Sequence, residues 1–215
     1  MTSKLTARSG AVCAFAFAAL LGYAALRQYS AIFEGFSVLR LILTLLFVAI
    51  CGAYLLWLRQ TLLAPEPEAA SFARAVLPGW PLLAAALLSP PISSDPLLYL
   101  HYGAMALGGV NPYLIPSDAV QTPFSSFVVW YQTCVYGPIA LAVFALAALT
   151  QSPIAGVLVL KLLWLCAHLL AGYACYCANP ERRTWLTRAF LFNPILLLAF
   201  VVDVHLDALI AAALL

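Results

Sequence analysis

Charged side chains are scarce in this chain. They make up 8% of its 215 residues, where a soluble globular domain carries about 25%. That shortage, with 65% hydrophobic residues and a mean hydropathy of +1.01, excludes a soluble fold and indicates an integral membrane protein. Basic charge is thin as well. Ten Lys and Arg against eight acids leave a net charge of +2. The bases are scattered at Lys4, Arg8, Arg27, Arg40, Arg59, Arg74, Lys161, Arg182, Arg183 and Arg188, without the patch that DNA or RNA would need, so nucleic acid is excluded as a partner. Of the six cysteines, Cys13, Cys51, Cys166, Cys175 and Cys177 sit in apolar runs as small hydrophobes and only Cys134 falls in a polar loop, which implies no disulfide framework. There is no internal repeat and no cluster with metal-ligand spacing, and neither a metal nor a cofactor is expected.

Long apolar runs are what the chain has instead. A crossing of the hydrocarbon core takes roughly 20 residues, and spans are expected at about 10–27, 37–58, 75–91, 154–178 and 189–201, with a partial one at 207–215 and an outer loop over 92–153. Lys4 and Arg8 precede the first run as in a signal peptide, but no small-residue cleavage site with a soluble domain follows, so it is read as a spanning helix. Pro65-Glu66-Pro67-Glu68 marks a charged turn. The fold class is therefore all-α: a single-domain, polytopic integral membrane helix bundle with an outer-face loop carrying short interfacial or re-entrant helices. Its last helix is incomplete at Leu215, as expected of the N-terminal half of a larger fold.

Orientation follows from the enrichment of Lys and Arg in short cytoplasmic loops. Lys4 and Arg8 place the N-terminus inside, Arg59 and Arg74 place the second loop inside, and Ser94-Asp95-Pro96 then emerges outside. The run between Pro138 and Pro153 is about 20 Å of helix at about 1.5 Å per residue, too short for a core of about 30 Å. Read as an outer interfacial helix, it leaves Arg182, Arg183 and Arg188 in the cytoplasm. Asn193-Pro194 then starts a segment returning outward, which brings Asp203 and His205 to the face that carries Asp95. The location expected is the cell membrane, multi-pass. The abundance of Ala and Leu and the preference for Arg over Lys fit a bacterial inner membrane.

Three patterns along this path resemble one family. Ser94-Asp95-Pro96-Leu97-Leu98-Tyr99 with Gly103, followed by Gly109-Val110-Asn111-Pro112-Tyr113, is similar to the S-D-x-x-x-Y … G-x-N-P-Y segment of GT-C-type polyprenol-phosphate-mannose-dependent mannosyltransferases. Tyr136-Gly137-Pro138 resembles that family's Y-G-P turn, and Asn193-Pro194 with His205-Leu206-Asp207-Ala208-Leu209 resembles its N-P … H-N-D-A-L pattern. The likeness covers roughly residues 90–213, and members of that family are about twice the length of this chain. Leu206 stands where the family usually has Asn, and Pro96 where it has an aliphatic residue.

The resemblance implies transfer of a sugar, mannose by family habit, from a polyprenyl-phosphate donor to an acceptor hydroxyl at the outer face. Lipid phosphate is already a good leaving group, so the protein must supply a base for the hydroxyl proton and hold the reactants in line. Asp95 is the expected catalytic base. Tyr99, His101, Asn111, Tyr113, Tyr136, His205 and Asp207 are the expected substrate-binding residues, with the tyrosines offering an apolar body and a polar tip. Membrane lipids, the lipid-linked sugar and a second polypeptide completing the bundle are the partners implied.

Each residue also has a plainer reading. Asp95-Pro96 suits a helix N-cap followed by proline at the first helical position. Asp207 suits another cap, and Asn193-Pro194 a helix start. The tyrosines suit an interfacial belt, and His168 an interhelical hydrogen bond. Lys161 suits snorkelling to the membrane surface, and Arg182 and Arg183 topology anchoring. The competing functions are a non-catalytic membrane subunit built on half a glycosyltransferase scaffold and, third, a transporter. The transporter reading lacks the paired broken helices of repeated halves.

Overall fold

The computed structural model describes residues 37–65, 71–129 and 131–206. The span expected at 10–27, the charged turn at Glu66 and Glu68, Asp207 and the partial helix at 207–215 lie outside the described residues. What is described is all-helical, with no strand among the described residues. Helix α1 spans Ser37–Leu63, five residues beyond the run expected to end at Leu58. It therefore takes in Arg59 and carries Thr61 on its last turn.

The span expected at 75–91 is interrupted. Helix α2, Phe72–Val76, is capped by Ser71, whose hydroxyl accepts from Arg74 N at 3.3 Å. A 3-10 turn at Leu77–Gly79 leads into α3, Trp80–Leu88. Pro78 and Pro81 cause the break, since each removes a backbone donor and is tolerated only in the first turn of a helix. Gly79 is required there, because a Cβ at that position would lie 2.4 Å from the Phe192 ring.

The stretch expected as an outer loop contains two helices, α4, Asp95–Leu107, and α5, Pro138–Ala148. They pack so closely that a Cβ on Gly103 would come within 2.3 Å of the Phe144 carbonyl oxygen. The two faces of α4 do different things. Tyr99 and Leu100 enter the main core with Trp57, Phe144, Leu160 and Trp164. Leu98, Tyr102 and Met105, spaced as one helical face, form a smaller cluster with Cys134 beneath the 110–136 segment.

Helix α6, Pro153–Ala178, is the long element. Ser152 caps it by accepting from Ala155 N at 3.4 Å, and Pro153 opens it. Its 26 residues make about 39 Å at about 1.5 Å per residue, and among the described residues it is the one unbroken helix long and apolar enough to cross a membrane.

In place of a single run at 189–201, the chain forms α7, Arg183–Leu191, bent by 43° from the segment Pro194–Val202. That segment starts as a short α-helical turn, α8, Pro194–Leu196, and widens into a π-helical turn at Leu197–Val202. Asn193 makes the corner, its side-chain oxygen accepting from Ile195 N at 3.0 Å, while Pro194 has no N–H to continue α7.

Lys161 does not snorkel. It is 1% exposed and spends its ammonium on the carbonyl end of α3. Arg188 differs from the expected cytoplasmic loop residue in the same way: it is 8% exposed, with Nε donating to Ala75 O at 3.1 Å and Nη1 to Thr61 Oγ1 at 3.2 Å. In both cases helix-end carbonyls, which have no partner within their own helix, recruit a cation that solvent would otherwise claim.

Candidate functional site

The widened turn at Leu197–Val202 ends in an elbow. Asp203 N donates to Leu198 O at 2.9 Å and His205 N to Ala199 O at 2.9 Å, a helix closure one residue wider than the ordinary left-handed cap. Val204 occupies the left-handed position at φ 58° and is fully buried. That position normally falls to glycine. A β-branched residue there is strained by about 1–2 kcal/mol, a cost that neighbouring contacts must offset. They are present: Asp203 Oδ1 accepts from Ile92 N and from Ser93 N, the latter at 3.0 Å, and Trp164 Nε1 donates to His205 O at 2.7 Å.

The elbow thus hangs on the turn that begins α4. In that turn the N-cap is Ser94, not Asp95; Asp95 is the first helical residue and Pro96 the second. Ser94 makes no side-chain capping bond, and Asp95 is an acid in the first turn of the helix. Its Oδ2 stands 3.8 Å from His205 Nδ1, and the two side chains are 29% and 39% exposed. A 3.8 Å gap is too long for a direct hydrogen bond and is spanned readily by a water or a hydroxyl. The arrangement is a partly exposed carboxylate–imidazole pair beside a strained backbone, fit to accept a proton from a hydroxyl lodged beside it.

The family comparison bears on this pair. The model of the alpha-(1->6)-mannopyranosyltransferase N-terminal domain matches residues 7–215. The chain belongs to that family. No curated protein and no solved structure matches it. Resemblance to GT-C-type mannosyltransferases, drawn above from short motifs, is thereby extended over nearly the whole chain, and mannosyl transfer is the family's chemistry.

Within this mannosyltransferase domain, the residues expected at the site separate into two groups. Asp95 and His205 come together, while Asp207 lies outside the described residues. Tyr99 is 1% exposed, its ring stacked on Phe144 with centroids 4.5 Å apart and edge-on to Tyr136 at 5.1 Å. It packs the core one turn along α4 instead of facing a ligand. His101 is fully buried, Nε2 against Ser117 O at 2.8 Å and Nδ1 against Thr122 Oγ1 at 2.7 Å. Both ring nitrogens are committed to pinning the 110–136 segment onto α4, so it has no donor left for substrate. Burial holds its pKa below the ordinary histidine value, which suits a neutral ring donating through Nε2. Tyr102, pushed up to about 12 by burial, adds a bond to Gln132 O at 2.9 Å. Asn111 is exposed and accepts from Tyr113 N at 3.0 Å, a local turn. Tyr113 is 37% exposed and Tyr136 is half-buried against Tyr99 and Phe144.

An open hollow of about 320 Å³ lies in the 110–136 segment, lined by Ser117, Asp118, Gln121, Ser126 and Tyr131 among others. None of the expected site residues lines it. Among the described residues no three His, Cys, Asp or Glu side chains gather as a metal site would require.

Reading the sequence missed Lys161, Trp164 and Val204. The first two carried a usable signal: with His168 they fall at i, i+3 and i+7 on an otherwise apolar helix, one face of α6. Val204 carried none, since left-handed backbone at valine has no sequence signature.

Proposed function

We propose that this chain is the membrane-embedded N-terminal part of an enzyme that transfers mannose from a polyprenyl-phosphate donor to a hydroxyl at the outer face, with Asp95 as general base. The observation that carries the reading is the Asp95–His205 pair, 3.8 Å apart and open to solvent, at the head of α4. In the proposed step Asp95 takes the proton of the acceptor hydroxyl and the freed oxygen bonds to C1 of mannose. The C1–O bond to phosphate breaks, and the lipid phosphate leaves with the electron pair. The family description names an alpha-(1->6) linkage, so the attacking group is a primary hydroxyl on C6 of a hexose. His205, beside the carboxylate, orients that hydroxyl or contacts the phosphate.

A polytopic setting belongs to the same proposal. Helix α1 presents Leu45, Val48, Leu55 and Leu56 outward, each between 58% and 61% exposed, as a lipid-facing surface does. The bases Arg59, Arg74, Arg182 and Arg183 belong to α1, α2 and the start of α7, the end assigned to the cytoplasm by the positive-inside rule.

Replacing Asp95 by Asn tests the proposal, because Asn keeps size and polarity but cannot accept the proton. Transfer from a polyprenyl-phosphate-mannose donor in membranes with matched protein levels is expected to fall by about 100- to 10,000-fold. A rate within twofold of the unaltered protein would remove Asp95 from the reaction.

A further inference from the structure

Three polar side chains stand on one face of α6, each against a backbone carbonyl at the end of a different segment. Trp164 Nε1 holds His205 O, and His168 Nε2 meets Leu191 O at 3.0 Å. Lys161 is the most heavily engaged. Its Nζ donates to Ala86 O at 2.9 Å, Leu87 O at 3.3 Å, Ser89 O and Ser89 Oγ, the negative end of the α3 dipole.

Stability alone gives no reason for a lysine here. A buried ammonium is expensive in an apolar bundle, and a well-packed hydrophobic residue of similar volume often does as well or better. What an apolar residue could not do is hold two segments in register by charge. Lys161 fixes residues 86–89. Asp203 fixes residues 92 and 93 through their N–H groups. The turn between them leads straight into Asp95, and Asp203 sits two residues from His205. We propose that Lys161 is a positioning residue for mannosyl transfer, locking the turn that presents Asp95 against the elbow that presents His205. The inference rests on the reading of Asp95 as the base.

The test is steady-state transfer in membranes carrying Lys161→Met, with His168→Leu as the control from the same face of α6, and with protein abundance and monodispersity in mild detergent measured in parallel. Displacing a catalytic group by about 1 Å costs on the order of 100-fold. Lys161→Met is therefore expected to lower kcat per folded molecule by about 10- to 100-fold while KM for the donor moves less than about twofold, and His168→Leu to leave kcat unchanged. Asp203→Asn keeps an oxygen for Ile92 and Ser93 but removes the negative charge that holds their N–H groups. It should lower kcat similarly, and the double variant Lys161→Met/Asp203→Asn should lose no more than the worse single one. Where Lys161→Met fails to accumulate, Asp203→Asn carries the decision. A kcat within twofold of the unaltered protein in these variants, while Asp95→Asn is inactive, overturns the positioning role and leaves the base standing. Full activity in Asp95→Asn overturns both.

Discussion

Two buried cations stand at opposite ends of the bundle and do unlike things with the same kind of partner. Lys161 lies in the first third of α6; Arg188 follows its far end. About 25 Å of helix separates Lys161 from Ala178 at about 1.5 Å per residue. Both satisfy carbonyls at helix ends. Around Arg188 the described surroundings are structural: the Ala75 carbonyl, the Thr61 hydroxyl, and the Trp57 ring at 5.4 Å, which together join α1, α2 and α7. Beyond the turn that Lys161 holds stand Asp203, a left-handed valine, and a carboxylate and an imidazole left open to water. The lesson is that burying a cation does not by itself mark a functional end. Under the proposed function, the end that counts is the one with uncommitted polar groups and strained backbone beside the cation.

The sharpest way to break that comparison is the Asp95→Asn substitution described above, which should silence transfer without touching the fold. Next comes Arg188→Met, which leaves the Ala75 carbonyl without this donor, at about 1–3 kcal/mol for a buried group left unpaired, while the Thr61 hydroxyl keeps its bond to Trp57 O at 3.0 Å. Thermal melting in detergent should shift down by several degrees while kcat per folded molecule stays within twofold. A selective loss of kcat would mean that the basic end also serves the reaction.

Between the two ends, Gly103→Val asks whether α4 is held rigidly. The added Cβ meets Phe144 backbone, not a flexible side chain, so overpacking of about 1–3 kcal/mol is expected, seen as a fall in folded yield. Normal yield would show that α4 and α5 slide freely, leaving Asp95 poorly fixed.

Acidification should sharpen the contrast further. The His101 pKa is lowered on folding, so the unfolded chain binds the extra proton first. The contribution of His101 is fully present above the unfolded value of about 6.5 and is lost as pH falls through the depressed folded value. Hydrogen exchange in segment 110–136 should therefore rise below about pH 6, before exchange around Arg188 does. His101→Gln should abolish the difference.

The smallest effect is expected for Val204→Gly. Relief of about 1–2 kcal/mol of backbone strain is set against about 1.5–3 kcal/mol of lost burial, leaving a slight net loss of stability. A large gain would show that Val204 packs less well than its burial implies.

Much of this architecture could be read from the sequence, for identifiable reasons. Pro96, Pro138, Pro153 and Pro194 each lie in the first turn of a helix, because proline is pre-set for that place and poor elsewhere. The length and grease of residues 154–178 announced α6. The convergence of Asp95 with His205 was inferred from charge bookkeeping across the membrane. Other features depend on partners far away in the chain. The contacts of Lys161 lie 72 to 75 residues earlier, so its burial could not be told from snorkelling. His101 looked like a site residue because histidine in a polar motif usually is one; only the fold reveals that Ser117 and Thr122 consume it. Asp95 was assigned to a cap by the ordinary grammar of helix starts, and Ser94 took that place instead.

The π turn at Leu197–Val202 behaves as a spacer one residue long. Removing a single residue from it would return the segment to ordinary helical pitch and swing whatever follows by about 100°. His205 would then point away from Asp95 while the hydrophobic composition of the segment stayed nearly intact. A lineage that lost that residue would keep its bundle and forfeit the pairing, so the length of this short stretch separates a chain able to bring the two side chains together from one that merely shares its shape.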